Sequence, residues 1–239
     1  MEYDSTRFLS PNKLRLRMKL LALETANEQC SVCIVDETQE LFFQFDARAK
    51  AQTQTILPMI DQAFTQLTLS ASELTAIAFS RGPGSFSGVR INAAVTQALA
   101  WANDLPVVPV SSLQALAQAA YRIHGLTAVT AVLDARMKEV YIASFQLDQQ
   151  GIMQAVDAEQ LLNYSDATEM VKFELVGSGS VLIQPEQIQY QDLNATAQDI
   201  ATIARAEVEQ KKWVSAEQAL PVYLRDNAWK KIPEQGKAN

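Results

Sequence analysis

One histidine, His124, occurs among the 239 residues of the chain. A metal site with two imidazole ligands from this chain is therefore excluded, and a Ser-His-Asp triad would have to use this residue. Because His124 precedes Gly125 at the end of a predicted helix, where the helix dipole favours an imidazole, we interpret it as a helix-terminal residue. Cysteine is also scarce. Cys30 and Cys33 have the spacing of a redox or metal pair, but residues i and i+3 of a strand point to opposite faces, which predicts two ordinary thiols.

Positive charge and long apolar runs are scarce as well. The 20 lysines and arginines stand against 27 aspartates and glutamates, so the formal net charge is −7. A protein that binds nucleic acid by itself usually presents a basic stripe, whereas the basic cluster here, residues 13–19, precedes the first predicted strand. We therefore expect contact with nucleic acid only through a basic partner. No apolar run approaches the roughly 20 residues of a membrane span, and no secretory signal is recognisable, so we expect a cytoplasmic protein.

Strand and helix patterns repeat along the chain. The first half is predicted to contain a three-stranded meander over 19–47, an amphipathic helix over 52–67, a strand over 75–81 and a helix over 89–104. The second half repeats this plan loosely, with a hairpin over 126–148, a strand over 173–179 and a helix over 194–213. Such a duplication predicts an α/β fold of two mixed-sheet lobes. We place the lobes at residues 18–110 and 111–226.

The two ends of the chain are predicted to lie outside these lobes. Residues 1–17 precede the first strand and are expected to form a flexible N-terminal tail. Translation could start at Met1 or at Met18, and the sequence leaves this open. Residues 227–239 are expected to form a C-terminal tail.

The segment SRGPGSFSGVR, residues 80–90, joins a predicted strand to a helix. A glycine-rich turn at such a place can bind phosphate with its backbone N–H groups. The Walker pattern, however, needs a lysine after its final glycine, where Val89 stands. The G-x-S-x-G pattern of serine hydrolases fits neither Ser85 nor Ser87. We therefore interpret the glycines and Pro83 as a tight turn, after which Ser85 or Ser87 caps the helix.

The helix after this turn carries no charged residue from Ile91 to Asn103. A helix that covers a sheet normally carries charge on its outer face, so the pattern indicates burial on a second side, against another protein chain. With the apolar helix 52–67 it could form half of an intermolecular four-helix bundle. The predicted interface consists of Ile56, Met59, Ile60, Ala63, Ile91, Ala94, Val95 and Ala98.

In six segments the chain resembles the bacterial TsaB (YeaZ) family: LLALETANEQCSVCIVD, ILPMI, RGPGSFSGVRI, VSSLQALA, DARMKEVYIASF and PVYLR. The resemblance runs from about Met18 to Arg225. It implies a two-lobed actin/Hsp70/sugar-kinase-like (ASKHA) fold. It also implies a part in forming N6-threonylcarbamoyladenosine beside the anticodon of tRNAs that read codons beginning with A. In that process TsaC-type enzymes supply the threonylcarbamoyl-adenylate. A TsaB-like protein is a non-catalytic scaffold for TsaD, which performs the transfer, and the ATPase TsaE completes the complex.

The resemblance also implies roles for particular residues. It implies no catalytic residue and no metal or cofactor in this chain, with ATP or ADP bound only in the complex, and a homodimer when the chain is alone. Asp134, Arg136 and Glu139 of DARMKEVY are expected to form a small ion network that locks the turn or the two lobes. The family's motif loop consists of Gly82, Pro83, Gly84, Ser85, Phe86, Ser87, Gly88 and Arg90.

Two enzymatic alternatives remain open. A small-molecule kinase or ATPase of the same fold class would need a first hairpin of the Asp-x-Gly-x-Thr type to wrap phosphates. Residues 24–28 instead read Glu-Thr-Ala-Asn-Glu, without a glycine and with two carboxylates that repel phosphate. A peptidase would have to depend on His124 or Ser85.

Overall fold

A computed structural model describes residues 18–48 and 51–225 of the chain. The predicted tails, 1–17 and 227–239, lie outside the described residues. The fold is α/β, with two mixed sheets. The strands are β1 (Leu20–Glu24), β2 (Cys30–Val35), β3 (Glu40–Asp46), β4 (Ala76–Gly82), β5 (Val107–Ser111), β6 (Ala128–Asp134), β7 (Glu139–Leu147), β8 (Met153–Ala155), β9 (Gln160–Asn163) and β10 (Glu174–Val176).

Helices cover both sheets. They are α1 (Gln52–Leu67), α2 (Phe86–Asn103), α3 (Ser112–His124), α4 (Tyr164–Glu169), α5 (Ser180–Ile183) and α6 (Ala197–Glu209). The predicted bounds of α1 are confirmed, and α3 covers the amphipathic segment predicted to end at His124. Gly125 follows in the left-handed conformation that ends a helix, so His124 is helix-terminal as interpreted. Among residues 18–48 and 51–225, no helix is long and apolar enough to cross a membrane.

The two sheets share a core of three strands, as the predicted duplication requires. The first has the order β3-β2-β1-β4-β5, in which the hairpin strands are antiparallel and β4 and β5 run parallel to β1. The second has the order β10-β6-β7-β8, in which β6 and β7 are antiparallel, β10 runs parallel to β6, and β9 also pairs with β7. Strands β6, β7 and β10 thus correspond to β1, β2 and β4.

The first sheet is buried on both faces. Alternate residues of β1 and β2, such as Leu21 and Val32, belong to the core under α1 and α2, whereas Leu20 and Ala22 belong to the core under α6. Fully apolar strands are expected for a sheet covered on both sides. Cys30 and Cys33 lie in these two different cores, and both are free thiols, which confirms that they cannot pair.

The predicted extent of the second lobe, residues 111–226, is wrong in one respect. Helix α6 leaves the second half of the sequence and packs on β1, β2, β4 and β5 of the first sheet. Its small and branched residues, among them Ala197, Ile200 and Ala204, fill the core beneath that sheet. The sequence gives the apolar face of α6 but not the sheet that this face covers. The lobes therefore meet along α3 and α6, which pack against each other.

An ion pair joins these two helices. Asp199 of α6 has a fully buried side chain and accepts hydrogen bonds from Arg122 of α3 at 2.8 and 3.0 Å. It also accepts one from the backbone N–H of Thr196, which caps α6. Breaking a buried pair leaves a charge without its partner, which is more costly than the pair itself is stabilising.

We expect Asp199→Ala to lower the free energy of unfolding by about 3 kcal/mol, because the half-buried Arg122 guanidinium and the first turn of α6 both lose their partner. Chemical denaturation of the two proteins measures this difference. Glu207→Ala is the comparison, since Glu207 forms only a 3.9 Å pair with the exposed Lys212 and should cost less than about 1 kcal/mol. Equal losses for the two variants would contradict the assigned role.

Candidate functional site

The glycine-rich loop packs against the turn that joins β1 and β2. A Cβ atom on Gly84 would lie 2.4 Å from the carbonyl oxygen of Ala26, and one on Gly88 would lie 2.0 Å from that of Thr25. The N–H of Ser85 donates to the Ala26 carbonyl at 2.7 Å, and the Thr25 hydroxyl donates to the Gly88 carbonyl at 2.8 Å. These glycines permit close contact between two backbone segments, as the interpretation as a structural turn requires.

Helix α2 begins at Phe86, three residues before the predicted start at residue 89. Of the two candidate caps, it is Ser85 whose side chain accepts the N–H of Gly88, at 3.4 Å. Ahead of it, Gly82 has a φ of +98°, which a residue with a side chain rarely adopts. The start was predicted too late because Gly88 disfavours a helix in isolation. Its contact with Thr25 outweighs that preference.

The outer face of α2 is apolar, and no described residue of the chain covers it. Ala94 and Ala98 are exposed, as predicted, and Phe86 and Trp101 near the two ends are 63% and 67% exposed. Ile91 and Val95 are half-buried and pack against the core of the first lobe. The opposite face, which includes Asn92, Ala93, Thr96 and Ala100, is fully buried on the sheet.

The four interface residues predicted on α1 need correction. Ile56, Met59, Ile60 and Ala63 are at most 4% exposed and lie in the chain's own core. They form the apolar face of α1 that covers β2 and β3. An amphipathic pattern shows that a face is buried, but it does not show whether the neighbour is the same chain or another. On its outer side α1 presents Leu57, which is 56% exposed.

A cleft of about 760 Å³ lies between the two lobes. The first lobe contributes the β1–β2 turn with Asn27 and the start of α2 with Arg90. The second contributes the β6–β7 turn with Arg136 and the glycine turn with Ser178. Many amide and hydroxyl side chains line the walls, so the cleft is suited to polar contacts. Within the described ranges, no three His, Cys, Asp or Glu side chains are grouped closely enough to hold a metal ion.

Two buried polar groups on the wall of this cleft lack partners. Glu24 ends β1 and is 2% exposed; its Oε1 accepts the N–H of Ala26, while its Oε2 has no hydrogen bond. Burial raises the pKa of Glu24 to about 7, although the nearby Ser80 hydroxyl and backbone N–H groups act to lower it. The hydroxyl of Ser112, the first residue of α3, is likewise buried without a partner. Both residues line the cleft.

Glu24→Gln should raise the free energy of unfolding at pH 8 and change it little at pH 4.5 or below. The folded chain keeps a proton on Glu24 up to a pKa of about 7, whereas the unfolded chain releases it near 4.5, so stability falls as the pH rises between these values. Between these two pKa values the wild-type chain loses at most about 3 kcal/mol of its free energy of unfolding. The neutral glutamine does not ionise, so the variant keeps this stability at pH 8.

Urea unfolding of both proteins between pH 4.5 and 8 measures this effect. Glu28→Gln is the matched control, because it makes the same change in a side chain that is 62% exposed. A stability difference between wild type and Glu24→Gln that did not change with pH would contradict the buried, protonated state of Glu24.

The three residues of the predicted ion network lie at the turn between β6 and β7, but they do not all pair with one another. Arg136 pairs with Asp134 at 2.9 Å and reaches Glu28 of the first lobe at 3.9 Å. Glu139 does not join them; it pairs with Arg225 near the end of the described chain. The network therefore ties the turn both to the β1–β2 turn and to the C-terminal segment.

Sequence reasoning missed two residues of this site. Arg225 pairs with Glu139, and the Tyr223 ring lies 4.9 Å from the guanidinium of Arg90, which stacks on Phe86 at 3.4 Å. Both belong to the segment PVYLR, which was recognised only as part of a resemblance. Its separation of about 85 residues from Glu139 gives no local signal of a contact.

The chain is similar to a family model and to several known proteins. The family model of TsaD, described as tRNA N6-adenosine threonylcarbamoyltransferase, matches residues 47–211. The chain is 39% identical to the tRNA threonylcarbamoyladenosine biosynthesis protein TsaB of Escherichia coli, over 90% of this chain and 99% of that protein. It is 35% identical to the TsaB of Haemophilus influenzae, over 90% of this chain and 98% of that protein.

A solved structure agrees in fold and in sequence. The crystal structure of a Pseudomonas aeruginosa protein with similarity to the peptidase YeaZ superposes with a TM-score of 0.79 at 36% identity, and covers 87% of this chain and all of that one. The motif loop, the duplicated sheets and the relatives that match over nearly their full length all indicate the same family. The chain therefore belongs to the TsaB family of tRNA threonylcarbamoyladenosine biosynthesis proteins.

Proposed function

We propose that this chain is a non-catalytic subunit in the formation of N6-threonylcarbamoyladenosine on tRNA, and that it acts by binding TsaD. The names of its relatives in Escherichia coli and Haemophilus influenzae support the pathway. The observation that carries the mode of action is the outer face of α2, which exposes Phe86, Ala94, Ala98 and Trp101 without a single charge from Ile91 to Asn103. Water-exposed apolar surface of this kind indicates a protein interface.

A scaffold role also agrees with the chemistry of the motif loop. The N–H of Ser85 is directed to the Ala26 carbonyl, and Gly84 and Gly88 are packed against the β1–β2 turn. These backbone groups therefore make contacts within the chain and are not available to bind a phosphate. The β1–β2 turn itself supplies carboxylates, from Glu24 and Glu28, where a phosphate-binding member of the fold class needs N–H donors.

The partner supplies what this chain lacks. A chain with a net charge of −7 is poorly suited to hold tRNA alone, so tRNA contacts belong to the complex. We assign the transfer reaction and its metal to TsaD, and ATP hydrolysis to TsaE. In the absence of TsaD, the apolar face of α2 would be covered by the same face of a second copy of the chain.

Sedimentation of the purified chain alone and mixed with TsaD tests this proposal. We expect a homodimer alone, and a 1:1 heterodimer with TsaD as the homodimer dissociates, because both contacts use the same face. A persistent homodimer with TsaD sedimenting separately would overturn the docking proposal.

One observation favours a second candidate, an ATPase or small-molecule kinase. The interlobe cleft of about 760 Å³ has the volume of a nucleotide site and contains Arg90, which is paired with no carboxylate in the described part of the chain. Titration calorimetry with ATP and magnesium separates the two functions. The scaffold function predicts no micromolar binding by the isolated chain, and such binding would favour the kinase.

A further inference from the structure

The last described residues form no helix or strand and run from one lobe to the other beside the cleft. We call residues 221–225 the strap. Val222, Tyr223 and Arg225 all line the interlobe cleft. At one end the strap contacts the first lobe at the end of β4, and at the other end it contacts the β6–β7 turn of the second lobe.

Contacts with the first lobe hold the beginning of the strap. The N–H of Val222 donates to the Arg81 carbonyl at 2.8 Å. The Val222 carbonyl lies so close to Gly82 that a Cβ atom there would be 3.2 Å away. The ring of Tyr223 then lies 4.9 Å from the guanidinium of Arg90, at the first turn of α2. The strap thus adjoins the motif loop and the start of the helix that follows it.

Contacts with the second lobe hold the end of the strap. The guanidinium of Arg225 forms an ion pair with Glu139, and its Nη2 donates to the Ala135 carbonyl at 3.2 Å. The side chains of Arg225 and Glu139 are only 23% and 30% exposed, so screening by water is reduced. A guanidinium that donates to a carbonyl oxygen forms a charge-assisted hydrogen bond, which is stronger than a bond between neutral groups. Polar contacts therefore hold this end of the strap.

The lobes are joined elsewhere by contacts of a different kind. Helices α3 and α6 pack along their length and share the buried Arg122–Asp199 pair. Arg81 and Glu159 form another pair between the lobes, at 3.0 Å. A segment without secondary structure, fastened by a few side chains, opens at lower free energy than packed helices do. If the lobes separate about α3 and α6, the contacts that are released are those of the strap and the Arg81–Glu159 and Arg136–Glu28 pairs.

We propose that the strap closes the interlobe cleft, and that its release opens the cleft to polar small molecules. On the wall of the cleft, Glu24 Oε2 and Ser112 Oγ are buried without hydrogen-bond partners among the described residues. Opening the cleft gives both groups access to solvent or to a solute with hydrogen-bonding groups. This proposal concerns the chain by itself and does not depend on the docking of TsaD.

Hydrogen exchange of the full chain, followed by mass spectrometry, tests the strap. In Arg225→Ala we expect peptides that cover 24–29 and 176–179 to exchange about tenfold faster, because the charge-assisted contacts of Arg225 are lost. Peptides from α3 and α6 should keep their rates. Lys172→Ala is the matched control, since Lys172 pairs with Asp157 at 2.8 Å within the second lobe. Unchanged exchange at the cleft, or equal acceleration throughout the chain, would overturn the proposal.

A second measurement reports the lobe separation directly. Spin labels on Gln62→Cys in α1 and Glu169→Cys in α4 place one probe on each lobe, and the native Cys30 and Cys33 are buried and should not react. Arg225→Glu should broaden the distance distribution toward longer values, and Arg225→Glu combined with Glu139→Arg should narrow it again. A distribution that is the same in all three proteins would show that the strap does not set the opening.

Discussion

Ala98→Glu should weaken binding to TsaD by at least about 100-fold while leaving the free energy of unfolding within about 0.5 kcal/mol of wild type. Ala98 is exposed on the outer face of α2, so the isolated chain accommodates a glutamate side chain in water. In a docked complex the same carboxylate would be buried against apolar groups without a partner. Glutamate is also a good helix former, so α2 itself is retained. Calorimetry or surface plasmon resonance with purified TsaD measures the affinity.

The control for this variant is Ala158→Glu, the same change at an exposed alanine of the second lobe. It adds the same charge and should bind TsaD as wild type does. Ala98→Lys separates burial from charge sign, since burial predicts that both variants lose affinity. If Ala98→Glu, Ala98→Lys and Ala94→Glu all retained wild-type affinity, the assignment of this face would be wrong.

Gly88→Ala should destabilise the chain by about 3–5 kcal/mol, the range of severe core substitutions. The new Cβ atom would lie 2.0 Å from the Thr25 carbonyl oxygen, and this neighbour is backbone, which cannot rotate away. Either α2 shifts or the β1–β2 turn does, and in both cases the hydrogen bond from the Thr25 hydroxyl to the Gly88 carbonyl is lost. Alanine forms helices better than glycine, so helix propensity alone would predict that the substitution stabilises the chain.

Gly125→Ala provides the comparison. Gly125 has a φ of +69° and open space around its Cβ position, so the substitution costs only the left-handed conformation, about 1 kcal/mol. Thermal and chemical unfolding of the two variants measures the difference. Equal destabilisation would show that backbone conformation, not the contact with Thr25, explains the glycine at position 88.

Local patterns predicted the elements that carry strong periodicity. The apolar spacing over 52–67 gave α1 with its bounds, and the hairpin over 126–148 corresponds to β6 and β7. Short elements such as β8, β9 and α4 were not predicted, because three to six residues contain too little pattern to distinguish them from loops. The positions of β8 and β9 are fixed by pairing with β7, a contact that a local window does not contain.

The candidate site could be predicted only in part, because the sequence shows local patterns but not contacts between distant residues. The absence of charge from Ile91 to Asn103 is a property of one helix and was visible in the sequence. The burial of Ile56 and Met59, the return of α6 to the first sheet, and the pairing of Arg225 with Glu139 depend on residues far apart in the chain. Amphipathicity shows that a face is covered, and only the folded structure shows by what.

Reconstituted formation of N6-threonylcarbamoyladenosine tests the central claim most directly. The reaction contains tRNA, TsaC, TsaD and TsaE, and receives either no further protein, the wild-type chain, Ala98→Glu, or the double variant Ser85→Ala/His124→Ala. If the chain is a scaffold that acts through α2, the tRNA should be modified with the wild-type chain and with the double variant. With Ala98→Glu, modification should be lost and should return at a high concentration of that variant. Full activity without the chain, or activity abolished in the double variant while TsaD binding is retained, would contradict the account.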